Sequence, residues 1–142
     1  METGNVHELR PKAGSESEKI TINLGYVDLG HIDLLVRDGF YTNRTDFIRT
    51  AIRNQVERHA EATKQSVSRR SLDLGLRHVS REELETARAA RRPLDIRVLG
   101  LVTIALDVTP ELARAGISSI SVLGTLQASA AVKAALADRM KP

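Results

Sequence analysis

The feature that most constrains this chain is one alternating segment, residues 18–24 (EKITINL), which is followed by helices rather than by a second strand. Its apolar and polar side chains alternate: Ile20, Ile22 and Leu24 with Lys19, Thr21 and Asn23. A period of two is typical of a strand with one buried and one exposed face. Because a lone strand leaves its backbone edge unpaired, we expect this one to pair with the same segment of a second copy.

The segment after the strand has the periodicity of an amphipathic helix. In residues 27–37 the apolar side chains lie three and four positions apart, and Asp33 precedes Arg37 by one turn, which predicts an ion pair on the helix surface. Gly39 follows as the expected C-terminal stop. The first helix is therefore expected to end just before Gly39.

A second helix is marked by its N-terminus. Asn43 is a favoured N-cap residue and Asp46 follows three positions later, an arrangement that resembles a capping box. The apolar stripe of this helix consists of Phe47, Ile48, Ala51, Ile52 and Val56, and its helical pattern fades over residues 58–63. Arg49 and Arg53 lie on the other face, where contact with phosphate and pairing with a neighbouring acidic side chain both remain open.

With this order and spacing of elements, residues 18–58 resemble the ribbon-helix-helix family of Arc, the methionine repressor and related plasmid repressors and antitoxins. The resemblance implies an intertwined homodimer whose two strands form an antiparallel ribbon in the major groove of double-stranded DNA. The base-reading residues that it implies are Lys19, Thr21 and Asn23. The phosphate-binding residues that it implies are Asn43, Arg44 and Thr45.

The chemistry of these side chains fits the two roles. Lys19 can donate to guanine O6 and N7, the Asn23 amide can pair with adenine N6 and N7, and Thr21 offers a hydroxyl and a methyl group. The first backbone N–H groups of the second helix have no partner inside the helix and carry the positive end of its dipole, which favours an anion. Arg44 adds a positive charge at that end.

The second half of the chain contains an internal repeat. Residues 96–100 (IRVLG) recur 24 positions later as residues 120–124 (ISVLG), and a degenerate earlier copy begins at residue 72. Each copy has the pattern of a strand followed by a helix, which predicts three βα units. The helices are expected at residues 81–90, after Thr109 and Pro110, and at residues 130–140.

The repeated strands predict the kind of sheet that they form. The segments 94–105 and 117–128 are apolar on both faces, which is typical of a buried parallel sheet. Gly100 and Gly124 occupy equivalent positions inside these strands. Glycine inside a strand often marks a close backbone approach, so we expect both residues at points of close packing.

Composition argues against a metal site, an enzyme and a membrane span. The chain has no cysteine and no ligand spacing among His7, His31, His59 and His78, so we expect no cofactor and no metal. The residues also suggest no set of nucleophile, base and orienting group, so we expect no enzymatic activity. The longest apolar stretch, residues 98–106, is too short for a bilayer, and the polar N-terminus has no signal-peptide core. We therefore expect a cytoplasmic protein.

The formal net charge of +3 does not by itself predict DNA binding, because the charge is unevenly distributed. Residues 1–64 carry nine Lys and Arg against ten Asp and Glu, whereas residues 65–142 carry twelve against eight. The arginines between positions 69 and 97 could follow a DNA backbone, but the glutamates among them favour a solvated surface. A DNA-binding hypothesis therefore depends on where individual charges lie.

These patterns predict an α+β chain in four parts. They are a flexible arm (1–17), a ribbon-helix-helix domain of βαα order (18–63), a linker (64–70) and a small βα-repeat domain with a parallel sheet (71–142). The last domain is expected to serve in oligomerisation or another interaction, so that dimers join into a higher oligomer.

The expected function is sequence-specific transcriptional regulation, as a repressor, by a homodimer on a double-stranded DNA operator. The alternative is an antitoxin that represses its own promoter and binds a toxin partner through its second half. Antitoxin tails are commonly short and fold on binding, whereas the second half has its own helix caps and apolar strands, which favours the regulator. A small organic effector for the second half remains open.

Overall fold

A computed structural model describes residues 17–142 of the chain. The arm predicted for residues 1–17 lies outside the described residues, except for Ser17. Chain contacts divide the protein into two compact units, one of Lys19–Ser68 and one that contains Arg69–Pro142. The two units are described in turn.

The first unit is helical. Its helices are α1 (Tyr26–Arg37) and α2 (Arg44–Arg58), and α3 (Ala60–Arg70) continues across the boundary between the units. Residues 17–25 have no regular secondary structure, so the strand predicted at residues 18–24 is not formed in the single chain. A strand exists through hydrogen bonds to a neighbour, and the described chain supplies none for this segment. The βαα order therefore stays a prediction.

Helix α1 ends at Arg37, and Gly39 acts as the C-terminal stop that the sequence predicts. Gly39 has φ +87°, its N–H donates to the Val36 carbonyl at 3.1 Å, and the Phe40 N–H donates to the Leu35 carbonyl at 3.0 Å. This pair of bonds is the Schellman motif, which requires a left-handed residue after the helix. Only glycine adopts that conformation without a steric penalty.

The segment predicted as a linker, residues 64–70, is helical instead. It forms the second half of α3, and only His59 separates α3 from α2. Residues 60–70 contain no glycine or proline, and alanine, glutamate, lysine and arginine are strong helix formers. The polar composition suggested a loop, but without a helix-breaking residue the backbone continues as a helix.

The second unit has the three βα repeats that the sequence predicts. Its elements are β1 (Asp73–Val79), α4 (Arg81–Ala89), β2 (Leu94–Ile104), α5 (Pro110–Gly116), β3 (Ile117–Gln127) and α6 (Ala130–Ala135). The strands form one parallel sheet in the order β1-β2-β3. The prediction of a parallel sheet built from repeats is therefore confirmed.

Each helix of the repeat begins at the same kind of cap. Ser80, Thr109 and Ser129 are the N-cap residues, and each side-chain hydroxyl accepts the backbone N–H of the residue three positions later, at 3.1 Å in all three cases. A hydroxyl in this position satisfies one of the unpaired N–H groups of a helix start. The hydroxyl residues thus fix where each strand turns into its helix.

The last helix is shorter than predicted. Helix α6 ends at Ala135, and a short 3₁₀ helix (Ala137–Arg139) follows in place of the continuous helix expected at residues 130–140. The chain then turns back to the sheet, where Met140 pairs with Ile120 and the Lys141 N–H donates to the Ile120 carbonyl at 2.8 Å. Pairing with the free edge of β3 therefore ends the helix.

The core of the second unit lies between the helices and one face of the sheet. Its largest fully buried side chains include Val79, Leu84, Val98, Ile117, Ile120 and Leu136. The helices cover this face only, so the prediction of a sheet buried on both faces is wrong for the single chain. The helices of residues 69–142 all lie on one side of the sheet, so leucines such as Leu74 and Leu76 on the opposite face are exposed.

Glycines from all three strands lie side by side in the sheet. Gly75 is the register partner of Gly100, which is the partner of Gly124, and their φ values are +113°, +142° and +129°. A Cβ on Gly100 would overlap the Gly75 carbonyl, and one on Gly124 would overlap the Gly100 carbonyl. The close packing predicted at Gly100 and Gly124 is therefore confirmed.

Candidate nucleic-acid interface

The candidate base-reading side chains lie in the segment that precedes α1. Lys19, Thr21 and Asn23 are all exposed, and none makes a hydrogen bond or ion pair with any other described residue. Their donor and acceptor groups are therefore available to an external partner. A segment with free polar groups and no pairing of its own is suited to forming structure on association.

The apolar side chains of the same segment are also exposed. Ile20 is 73% and Ile22 is 61% exposed, and Leu24 also reaches solvent. On α2, Ile52 and Val56 are exposed as well, and Ile32 on α1 is the one buried hydrophobic residue among residues 19–68. Apolar stripes in this unit are thus formed as predicted but not covered. The first unit therefore has a half core: apolar side chains that no described residue covers.

The N-terminus of α2 is organised by the predicted cap. Asn43 Oδ1 accepts the Asp46 N–H at 2.8 Å, and Asp46 Oδ2 accepts the Thr42 N–H at 2.9 Å. The exchange is close to a capping box, with the second bond displaced by one residue. Within the described residues, the backbone N–H groups of Arg44 and Thr45 have no acceptor. They lie at the positive end of the helix dipole, as an anion site requires.

Arg44 is engaged by α1 in the single chain. Its Nε lies 2.8 Å from Asp33 Oδ1 and its Nη2 lies 2.9 Å from Asp33 Oδ2, a bidentate ion pair between the two helices. The hydrogen bonds from Arg44 hold the pKa of the Asp33 carboxyl below its usual value. The charge of Arg44 is therefore largely compensated by Asp33 in the single chain.

Asp33 is the residue at this site that sequence reasoning missed. Arg37 lies one turn from Asp33 and its charge also lowers the pKa of that carboxyl, but the direct hydrogen bonds come from Arg44 across the turn. A planar guanidinium gains two parallel bonds from a carboxylate, which a pair along one helix rarely offers. The turn between the helices brings the partners together over eleven positions, and no periodicity signals that contact.

The connection between α1 and α2 is held by an aromatic pair. The rings of Tyr41 and Phe47 pack edge to face with centroids 5.0 Å apart. Such contacts favour one relative placement of the two rings. The loop that carries Asn43 is therefore anchored to the first turn of α2, which fixes the direction of the exposed N–H groups.

Arg49 and Arg53 remain on the exposed face of α2. Neither forms an ion pair with another described residue, so the pairing with Asp46 or Glu57 that the sequence left open is not formed. Among residues 17–142, no hydrogen bond or ion pair joins the candidate base-reading residues Lys19, Thr21 and Asn23 to the N-terminus of α2. Both sets nevertheless belong to one unit.

Two further features, a metal cluster and a membrane-spanning helix, are not found among the described residues. Residues 17–142 contain no group of three or more His, Asp or Glu side chains placed to hold a metal ion. Over the same residues, every helix is too short or too polar to cross a bilayer.

A family match covers parts of both units of the chain. The model described as the ribbon-helix-helix transcriptional regulator family matches residues 15–133. No curated protein and no solved structure gives a significant match. The resemblance based on residues 18–58 is confirmed, and the match extends through the βα repeats that the sequence alone left unassigned.

Proposed function

Because the chain belongs to the ribbon-helix-helix transcriptional regulator family, we propose that it is a repressor that binds its operator as a homodimer. Residues 18–24 of two copies form an antiparallel ribbon, and the polar face of this ribbon reads the major groove. The observation that carries the proposal is the half core of the first unit, in which the predicted strand and α2 expose their apolar side chains.

A second copy supplies what the first unit lacks. Pairing of two 18–24 segments satisfies the backbone edge of each and places Ile20, Ile22 and Leu24 on one face. Burying a side chain of this size contributes about 1.5–3 kcal/mol, so the residues of two copies together stabilise a dimer substantially. The unit Lys19–Ser68 is small enough that burial within one chain makes it only marginally stable, so association adds stability that it lacks.

Ribbon pairing also determines which side chains face the DNA. With the apolar face turned inward, Lys19, Thr21 and Asn23 of both copies project outward from one narrow two-stranded element, which fits the major groove. The α2 N-terminus contacts a flanking phosphate through the N–H groups of Arg44 and Thr45. Because Asp33 compensates Arg44, this contact depends more on backbone donors than on the Arg44 charge.

The first test separates base reading from general affinity. Genomic DNA fragments retained by the protein would first be sequenced to define an operator. Asn23→Ala and Thr21→Ala are then expected to weaken operator binding by ~10- to 100-fold, because each good base contact contributes about 1–3 kcal/mol of discrimination. Affinity for random DNA at the same salt concentration should change little. Asn54→Ala removes an exposed amide from α2 and serves as the matched control.

Equal losses on operator and random DNA for Asn23→Ala would contradict the base-reading role.

A second test concerns the compensated arginine. Asp33→Asn releases Arg44 from its ion pair, so binding to random DNA should strengthen at low salt. The slope of log K against log salt concentration should steepen by ~0.9 for each protomer that gains a phosphate contact. Asp38→Asn removes the same charge from the end of α1, where no described ion pair involves it, and is the matched control.

Adding Arg44→Ala to Asp33→Asn should cancel the gain. If Asp33→Asn and Asp38→Asn gave the same slope as the unmodified protein, Arg44 would have no part in phosphate binding.

The antitoxin alternative has less support. It expects a short tail that folds when a toxin binds, whereas residues 73–139 already form a sheet with its own helices and buried core. A regulator that requires only DNA and a second copy accounts for the same features.

A further inference from the structure

The second unit contains a cavity of about 310 Å³, a volume typical of sites that bind small molecules. The polar side chains that line this cavity, called the basic cavity below, are Arg70, Asp95, Arg97, Ser119, Ser121 and Lys141. They come from the end of α3, from β2 and β3, and from the segment after the 3₁₀ helix. On β2 and β3 these residues alternate with the buried Ile96, Val98 and Ile120, so the cavity lies on the sheet face that the helices leave open.

The one carboxylate of the basic cavity is already compensated. Asp95 Oδ1 accepts a hydrogen bond from the Ser119 hydroxyl, and Asp95 Oδ2 lies 3.0 Å from Arg97 Nε and 2.9 Å from Arg97 Nη2. The Ser119 hydrogen bond and the Arg97 guanidinium hold the pKa of the Asp95 carboxyl below its usual value. Arg97 Nη1 also donates to the Arg70 carbonyl, at 3.4 Å. Asp95 and Arg97 therefore form a wall whose two charges offset each other.

Three other polar groups of the basic cavity have no partner among the described residues. The Arg70 guanidinium, the Lys141 ammonium and the Ser121 hydroxyl form no hydrogen bond or ion pair with residues 17–142. Lys141 is nevertheless held in place by its backbone, because its N–H donates to the Ile120 carbonyl of β3 at 2.8 Å. A cleft with an excess of one sign of charge attracts small molecules of the opposite sign.

The number and type of these groups fit a phosphate monoester. Such a phosphate carries between one and two negative charges at neutral pH and offers three acceptor oxygens, which matches two cations and one hydroxyl. A carboxylate has one charge and two oxygens, so it would leave one cation unpaired. Guanidinium groups bind phosphate through two parallel hydrogen bonds. Leu72 and Leu123 also line the cavity and offer apolar contact to the rest of such a molecule.

The phosphates of duplex DNA fit the basic cavity less well. DNA presents its phosphates in a regular series along a rod, and proteins follow them with positive charges spread over a surface. Here Arg70 and Lys141 line one concave site together with Leu72 and Leu123. A DNA backbone gains nothing from those two leucines, whereas a small molecule with an apolar part does.

We propose that the basic cavity binds a small phosphate monoester with a short apolar body. Arg70, Lys141 and Ser121 donate to the phosphate oxygens, and the body contacts Leu72 and Leu123. All of these residues belong to the second unit. The site requires neither the ribbon nor a second copy, so it goes beyond the proposed function and does not rest on it.

Titration calorimetry of the full chain with phenyl phosphate provides the first test, and saturation at one site per chain is expected. Arg70→Gln and Lys141→Gln should each raise the dissociation constant by ~10-fold or more, because each removes a charged hydrogen-bond donor. Lys133→Gln is the matched control and should leave the constant unchanged, since Lys133 is an exposed lysine of α6 outside the cavity. Circular dichroism would verify that the variants are folded.

A probe series separates the phosphate from the apolar body. Benzoate has the same ring with one charge, and its dissociation constant should be ~10-fold higher than that of phenyl phosphate. Phenol has no charge at neutral pH and should not bind measurably. Leu123→Ala should weaken phenyl phosphate by ~5-fold through lost apolar contact and leave inorganic phosphate unchanged.

Three outcomes would overturn the proposal. They are no saturable binding of phenyl phosphate at millimolar concentration, equal losses for Lys133→Gln and Lys141→Gln, and benzoate binding as tightly as phenyl phosphate. If Lys141→Gln weakened binding to random DNA but not to phenyl phosphate, the cations would instead follow a DNA backbone. The titrations contain no DNA, so their failure leaves the base-reading function untouched. Conversely, an Asn23→Ala variant that keeps its operator discrimination would leave the basic cavity untouched.

Discussion

Gly100→Ala is expected to lower the free energy of unfolding of the second unit by at least about 3 kcal/mol. The added Cβ would overlap the carbonyl of Gly75 on the neighbouring strand, and the backbone at φ +142° is strained for any L-residue. The clash involves backbone rather than a flexible side chain, so relief requires the strands to separate. Urea unfolding followed by circular dichroism would measure the loss.

Gly75→Ala is the matched control, because the same substitution at φ +113° adds a Cβ with no heavy atom within 4 Å. Only conformational strain of about 1–2 kcal/mol is then expected. Gly124→Ala should behave like Gly100→Ala, since its Cβ would overlap the Gly100 carbonyl. Similar losses for Gly75→Ala and Gly100→Ala would show that close packing of the strands is not what the glycines provide.

Ile22→Glu is expected to abolish the ribbon dimer and with it operator binding, by ~1,000-fold or more. In the single chain Ile22 is mostly exposed, so a glutamate there should cost little. In a paired ribbon the same position turns inward, where two unpaired carboxylates would be buried against apolar side chains. Sedimentation and DNA titration of the full chain would measure both losses.

Thr21→Ala, on the opposite face of the same segment, is the matched control. It should weaken operator recognition while leaving sedimentation unchanged, because this side chain points away from the expected core. A folded Ile22→Glu dimer at micromolar concentration that binds DNA normally would exclude ribbon pairing through residues 18–24. The contrast between adjacent positions is the signature of a half-buried strand.

Many features of the fold depend on hydrogen bonds between residues that are close in the sequence. Asn43, Thr109 and Gly39 act through bonds to residues within four positions, so their roles as caps and helix stop are visible in the sequence. The repeat around Gly100 and Gly124 predicts a parallel sheet because similar segments form similar βα units. Each of these predictions depends on short-range geometry, which propensity and periodicity describe well.

The sequence-based predictions failed for two reasons: some depend on which surfaces meet, and one depends on composition that does not separate a helix from a loop. The Arg44–Asp33 pair forms because the α1–α2 turn places the two helices beside each other. The linear sequence does not show whether Asp33 pairs with Arg44 or with Arg37. Residues 64–70 look polar enough for a linker, but composition alone does not separate a solvated helix from a loop.

By itself, the sequence determined the helix starts, the glycine stop, the alternation of residues 18–24 and the parallel repeat, because backbone sterics and local hydrogen bonds decide them. Only the tertiary structure decided which side of each apolar element is covered. The sequence makes the strands of the repeat apolar on both faces, yet the helices cover one face and leave Leu74 and Leu76 open. Burial depends on the sum of contacts across the fold, and that sum is not encoded in any single segment.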